Sequence, residues 1–126
     1  MSKKRILIFD DDTIILEVIS IIFEDAGYEV KISETSHDII EKVADFHPDV
    51  ILMDNWIPNI GGVEATQMLK SHPEFKDIPV IYVTANNDIS ALAKEAGADD
   101  YIAKPFDLVD LEEKVEMFCK KTKNEI

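Results

Sequence analysis

DVILMDNWIPNIGG, residues Asp49 to Gly62, is the stretch that decides the fold. Four apolar residues, Val50 to Met53, run into the bare carboxylate of Asp54. Asn55, Trp56, Pro58 and the Gly61-Gly62 pair then break the pattern. A short apolar run bounded by turn residues reads as a strand buried on both faces. Packing gives such a strand no reason to end in an acid, with the chain's single tryptophan two residues later. The same ending occurs upstream, where Arg5 to Phe9 runs into Asp10 and Asp11.

Outward from these two runs, apolar strands alternate with helical patterns. Ile15, Val18, Ile19, Ile22 and Phe23 follow i, i+3, i+4, i+7, i+8 and predict the inward face of a first helix, closed by Gly27. Tyr28 to Ile32 reads as a second strand. Thr35 or Ser36 is placed to cap a second helix carrying Ile39, Ile40 and Val43, which stops before Pro48. A third helix runs from Val63 to Ser71. Pro79 to Val83 is a fourth strand, and Asn87 to Ala96 a helix with Ile89, Leu92, Ala93 and Ala96 inward and Gly97 at its end. Tyr101 to Ala103 is a short fifth strand. Asp107 caps a last helix with Leu108, Leu111, Val115 and Phe118, and Lys120, Lys121 and Lys123 complement its dipole. Five strand–helix units with no linker or repeat predict an α/β fold: a parallel sheet with right-handed crossovers and helices on both faces.

Length and composition agree. The chain has 126 residues, 46% of them hydrophobic, with only 4 Gly and 5 Pro, which reads as one folded domain of residues 3–120 with a frayed tail at 121–126. Thirteen basic against 26 acidic residues give a formal charge of −13, which argues against direct nucleic-acid binding and against anionic membrane surfaces. Cys119 is the only cysteine, so no internal disulfide forms; it reads as a packing residue of the last helix in a reducing compartment. No apolar run approaches the roughly 18 residues of a membrane span. The basic N-terminus is cut short by Asp10, Asp11 and Asp12 and is no signal peptide, so the expected location is cytoplasmic.

Function in such sheets gathers at the carboxyl ends of the strands. There the first strand delivers Asp10 and Asp11, the third Asp54, the fourth Thr84 and Ala85, and the fifth Lys104 followed by Pro105. Taken singly, each has an ordinary reading: an acid after a strand is usually a cap or loop residue, and Asp12 reads as the cap of the first helix. Their joint placement after four of the five strands carries the chemical reading. Three converging carboxylates repel unless a cation joins them. Oxygen ligands without nearby His or Cys favour Mg²⁺ or Ca²⁺ over zinc. A metal, a lysine and a hydroxyl together can neutralise a phosphoryl group in transfer, and a carboxylate can accept it as an aspartyl phosphate. Asp54 reads as that nucleophile.

ILIFDDD (6–12), DVILMDNWIP (49–58), VIYVTA (80–85) and GADDYIAKPF (97–106) together resemble the receiver domain of two-component response regulators, in order and at the right spacing from Lys4 to about Phe118. The resemblance implies a chemotaxis-receiver-like, flavodoxin-like fold: a doubly wound five-stranded parallel sheet of order 2-1-3-4-5. It implies a phosphorylation-dependent switch rather than an enzyme, one that catalyses only its own phosphorylation and dephosphorylation. Asp54 would accept the phosphoryl group from a sensor histidine kinase or phosphotransfer protein. Asp11 would bind Mg²⁺ directly, Asp10 through water, and Asp54 and the Trp56 carbonyl would complete the protein ligands. Thr84 would bond the phosphoryl group, Lys104 would pair with it, and Tyr101 would be the aromatic switch, turning inward as Thr84 moves. The Lys104-Pro105 bond would be cis. The face of the fourth helix, fifth strand and fifth helix would then control a downstream protein or output domain, or a phosphorylation-linked homodimer. No output domain follows Phe118, so the expectation is a stand-alone receiver or one cut from a longer regulator or hybrid kinase.

Ile57 stands where the family often has Met, and Gly61-Gly62 where it often has Asp-Gly; neither touches the chemistry. Trp56 is less usual, and with Asn86 it would set the lifetime of the phosphorylated state. A degenerate receiver that binds partners without phosphorylation is one rival reading, but all five site residues are present, which argues against it, and two further rival readings exist. FDDDTI (9–14) is close to the Asp-x-Asp signature of haloacid-dehalogenase-like phosphatases, onto which Asp10, Asp12, Thr84, Lys94 and Asp99-Asp100 could be forced, but Asp54 then has no role. A flavodoxin-like or purely structural interaction domain is the other. Against it, three acids stand where a phosphate-binding loop would be.

Overall fold

The computed structural model describes residues 4–55, 60–85, 87–104 and 106–123, with backbone alone for 120–123. The expected alternation is present: β1 (Arg5–Phe9), α1 (Thr13–Asp25), β2 (Glu29–Ser33), α2 (Ile39–Phe46), β3 (Val50–Asp54), α3 (Gly62–Lys70), β4 (Val80–Thr84), α4 (Ile89–Ala96), β5 (Asp100–Ala103) and α5 (Leu108–Lys123). All neighbouring strands pair in parallel, in the order β2-β1-β3-β4-β5. Helix α5 continues to Lys123, beyond residue 120, where the sequence set the end of the folded core.

β3 and β4 are buried at every position, as strands covered on both faces must be. Alternation sorts their side chains into two cores. Leu7, Phe9, Ile51, Met53, Val80 and Tyr82 pack under α2, α3 and α4. Ile6, Ile8, Val50, Leu52, Ile81 and Val83 pack under α1 and α5, where Cys119 is also buried. Each fully buried aliphatic side chain contributes about 1.5–3 kcal/mol.

Local signals hold at several ends. Asp12 caps α1, accepting from Ile14 N at 3.1 Å and Ile15 N at 3.2 Å. Gly27 and Gly97 take the positive φ that ends α1 and α4. Asp107 accepts from Val109 N at 2.8 Å at the start of α5. One local expectation holds only in part, Ile19 and Phe23 being buried and Ile15 packed beside them, and one fails. The buried stripe of α1 is Leu16, Ile19 and Phe23, while Val18 is 41% exposed; α1 is apolar nearly all round, so periodicity did not single out its inner face. Neither Thr35 nor Ser36 caps α2. Its N-cap is Asp38, which makes no side-chain capping bond. Ser36 Oγ instead accepts from Ile60 N at 3.1 Å and donates to Ile60 O, across to the chain before α3.

Candidate functional site

The parallel order puts the carboxyl ends of β1, β3, β4 and β5 side by side. Asp10 follows β1, Asp54 ends β3, Thr84 ends β4 and Lys104 follows β5. Asp10, Asp54 and Thr84 are 3%, 4% and 1% exposed. Lys104 Nζ joins the two buried acids, at 2.7 Å from Asp10 Oδ2 and 3.0 Å from Asp54 Oδ1. The backbone adds its own tie, Lys104 N to Thr84 O at 2.9 Å. The second Asp10 oxygen accepts from Asp12 N at 2.9 Å, which fixes that carboxylate. Asp11 is exposed and sits on the solvent side of the cluster.

Burial alone would pull the Lys104 ammonium down. Its hydrogen bonds to Asp10 and Asp54, together with their charges, outweigh burial and hold it above the ordinary lysine value. Lys104 is therefore a fixed positive charge. One ammonium faces three carboxylates whose ligand oxygens lie within 4.8 Å of one another. That leaves a negative excess suited to a divalent cation. The donors are oxygens, two of them on buried residues and one facing solvent, and the cluster contains no His or Cys. This set fits Mg²⁺, which takes few carboxylates and keeps positions for water and phosphate.

The phosphatase-like arrangement is not assembled. The Asp12 carboxylate is used as the cap of α1, and Lys94 lies on α4. Asp99 and Asp100 pair with Lys70 at 2.6 Å and Lys114 at 3.0 Å, at the start of β5 rather than at its carboxyl end. Tyr101, on β5, is 40% exposed. Trp56, Asn86 and Pro105 lie outside the described residues.

Three residues that frame the site escaped the sequence reading. Tyr82 is fully buried, and its hydroxyl donates to the Asn55 side chain. Burial, then the charges of Asp54 and Glu95, raise its phenol well above the ordinary tyrosine value, so it stays protonated. Gly62 N donates to Asn55 O at 3.1 Å, and Gly62 lies against the Asp54–Asn55 backbone, where any side chain would overlap Asp54 O. The available signals were a phenol in the otherwise apolar run VIYV and a glycine pair where one turn glycine would do.

The family model described as "Response regulator receiver domain" matches residues 6–116. The chain is 38% identical to the phosphate regulon transcriptional regulatory protein PhoB of Pseudomonas aeruginosa, over 97% of this chain and 54% of that protein. It is 36% identical to the CAI-1 autoinducer sensor kinase/phosphatase CqsS of Vibrio cholerae, over 83% of this chain and 16% of that one. A response regulator receiver domain protein (CheY-like) from Methanospirillum hungatei superposes with a TM-score of 0.87 at 35% identity, covering 99% of this chain and 100% of that one. The receiver domain of sensor histidine kinase PA1611 from Pseudomonas aeruginosa, with a magnesium ion coordinated in its active-site cleft, gives 0.86 at 26% identity, covering 94% and 99%. The chain belongs to the response regulator receiver domain family of two-component systems. Receivers are phosphoacceptor signalling domains, which pair with histidine kinases and output domains. This chain spans about half the length of the PhoB relative, 54%. Among the described residues no helix is long and apolar enough to cross a membrane.

Proposed function

We propose that Asp54 is the phosphoacceptor of a cytoplasmic signalling switch served by a sensor histidine kinase or phosphotransfer protein. One observation carries the assignment: Lys104 holds the buried Asp54 carboxylate at 3.0 Å, beside Asp10 and within reach of Asp11. An Asp54 oxygen attacks phosphorus, the bond from phosphorus to the donor nitrogen breaks, and the departing nitrogen takes a proton. Asp10, Asp11 and Asp54, with the Trp56 carbonyl that the family pattern adds, would hold Mg²⁺. The ion would supply positive charge to the phosphoryl oxygens and leaving group. Lys104 would move from carboxylate to phosphoryl oxygen, and Thr84 would donate its hydroxyl to another. Tyr101 would turn inward behind Thr84 and reset the face of α4, β5 and α5 for a downstream protein, an output domain or a second copy of the chain. Phosphate selects an arrangement already accessible, as in any population shift. Mass spectrometry after treatment with acetyl phosphate and Mg²⁺ tests the assignment. The label is expected on Asp54; a label on Asp10 would overturn it.

Metal binding has its own test. Asp11→Ala removes an oxygen donor on the solvent side and leaves the Asp10–Lys104–Asp54 group in place. The half-saturating Mg²⁺ concentration, read by Trp56 fluorescence, is expected to rise at least tenfold, about 1.4 kcal/mol of binding. An unchanged titration would remove Asp11 from the metal site.

The lifetime of the phosphorylated state is assigned to Trp56 and Asn86. A tryptophan brings a large apolar surface with a single N–H donor, so it excludes attacking water more than it orients it. Asn86 can still hold a water, which makes the block partial. Trp56→Ala is expected to lose phosphate several-fold faster, a tenfold gain corresponding to about 1.4 kcal/mol of barrier. Equal or slower loss from the variant would show that Trp56 shields nothing.

A further inference from the structure

We propose that Tyr82 is a positioning residue of the phosphoacceptor site, acting through Asn55 to hold the end of β3 that carries Asp54. The proposal rests on Asp54 being the acceptor, and it concerns residues on the opposite side of the sheet from that carboxylate.

Strand geometry brings the pair together. Tyr82 lies opposite Met53 in the β3–β4 register. Side chains alternate along a strand, so Met53 and Asn55 share the α3 side of the sheet while Asp54 faces the other way, toward Lys104. Asn55 is thus the diagonal neighbour of Tyr82, within reach of a long aromatic side chain. The hydroxyl donates to Asn55 Oδ1. A phenylalanine would fill the core at this position equally well. The phenol is buried at 0% exposure among aliphatic residues, where a hydroxyl is costly unless bonded. The hydroxyl therefore adds a directional hold on Asn55, not volume.

Asn55 is gripped a second time through its main chain, since its carbonyl accepts from Gly62 N at 3.1 Å. Just before α3, Ser36 Oγ accepts from Ile60 N and donates to Ile60 O. The chain is therefore fastened at Asn55, just after β3, and again at Ile60 and Gly62, by a side chain from β4, one from the segment before α2, and the first residue of α3. Residues 56–59, which contain the proposed metal-binding carbonyl, fall between these fastenings in the sequence. Releasing Asn55 frees the peptide that follows Asp54 to rotate. That moves the acceptor out of register with Asp10 and Asp11.

The test is a double-mutant cycle with Tyr82→Phe and Asn55→Ala, read by Mg²⁺ titration of the whole chain and by its labelling rate with a small phosphodonor at saturating Mg²⁺. Each single variant is expected to raise the half-saturating Mg²⁺ concentration three- to tenfold and to slow labelling by a similar factor. The double variant should be no worse than either single one, because both remove one bond. A purely structural role would instead lower the unfolding temperature and leave the Mg²⁺ titration of the folded chain unmoved. If Tyr82→Phe fails to fold, Asn55→Ala alone decides by the same two readouts. Unchanged titrations and rates in the single variants, or losses that multiply in the double, would overturn the proposal while leaving Asp54 as acceptor. A parent chain that binds no Mg²⁺ or is labelled elsewhere would overturn both.

Discussion

Asp54→Asn is expected to take up no phosphoryl group from a small donor with Mg²⁺, under conditions that label the parent chain fully. The substitution keeps the shape of the side chain and removes its nucleophile, since an amide oxygen does not form a stable acyl phosphate. It also keeps the site folded. Lys104 retains Asp10 at 2.7 Å, and Asp10 retains its bond from Asp12 N at 2.9 Å. Electrostatics set the sign of the side effect. In the parent, one ammonium serves three carboxylates. Losing one carboxylate costs a contact to Lys104 but relieves repulsion with Asp10 and Asp11, so without Mg²⁺ the thermal midpoint should not fall. Intact-mass measurement after phosphodonor treatment, with a thermal melt in a chelator, checks both parts. A label that survives in a folded Asp54→Asn chain would sink the assignment of the acceptor.

What the sequence revealed of this site follows from one geometric fact: in a parallel sheet all strands end on the same edge. Once Val50–Met53 and Arg5–Phe9 read as strands, Asp54 and Asp10 had to lie on that edge, and Thr84 and Lys104 followed from the later strands. None of this needed the strand order, which came from the family resemblance and which the pairing of β1 with both β2 and β3 bears out. The parts that stayed hidden depend on cross-strand register and on close backbone approach. Tyr82 meets Asn55 only because Met53 is the residue opposite it. Ser36 looked like a helix cap because its type suits one, yet its hydroxyl serves Ile60, 24 residues away. The inner face of α1 was blurred by too many apolar residues: Ile14 is 73% and Ile21 60% exposed on a helix whose buried stripe is only Leu16, Ile19 and Phe23. Periodicity separates faces only when polar residues mark the other side.

Gly62→Ala is expected to destabilise the protein strongly, although ordinary helix propensity points the other way. Gly62 opens α3, and alanine there is better than glycine by about 1 kcal/mol on propensity alone. Its backbone is not in the left-handed region, which among the described glycines only Gly27 and Gly97 occupy, so strain in φ is not the issue. Space is. A methyl group on Gly62 would overlap Asp54 O and lie 2.9 Å from Asn55 Cα and 3.0 Å from Asp54 C. These are main-chain atoms of β3 and the turn after it, fixed by pairing with β1 and β4, and they cannot swing aside as a flexible side chain would. Overpacking of this kind costs about 3 kcal/mol, which exceeds the propensity gain. At roughly 4 °C per kcal/mol the net loss lowers the thermal midpoint by about 8 °C. The atom struck is the carbonyl of Asp54 itself, so phosphodonor labelling should slow even at temperatures where the variant is folded. Gly61→Ala is the control. Its added carbon would be 4.0 Å from Asn55 O, ordinary contact distance, and its φ of −64° suits alanine. That variant should melt within about 4 °C of the parent and label normally, since replacing an N-cap glycine costs only a few tenths of a kcal/mol to about 1 kcal/mol. A Gly62→Ala chain that melts and labels like Gly61→Ala would show that α3 backs away from β3 at little cost, and that the Asp54–Asn55 backbone is not held by this contact.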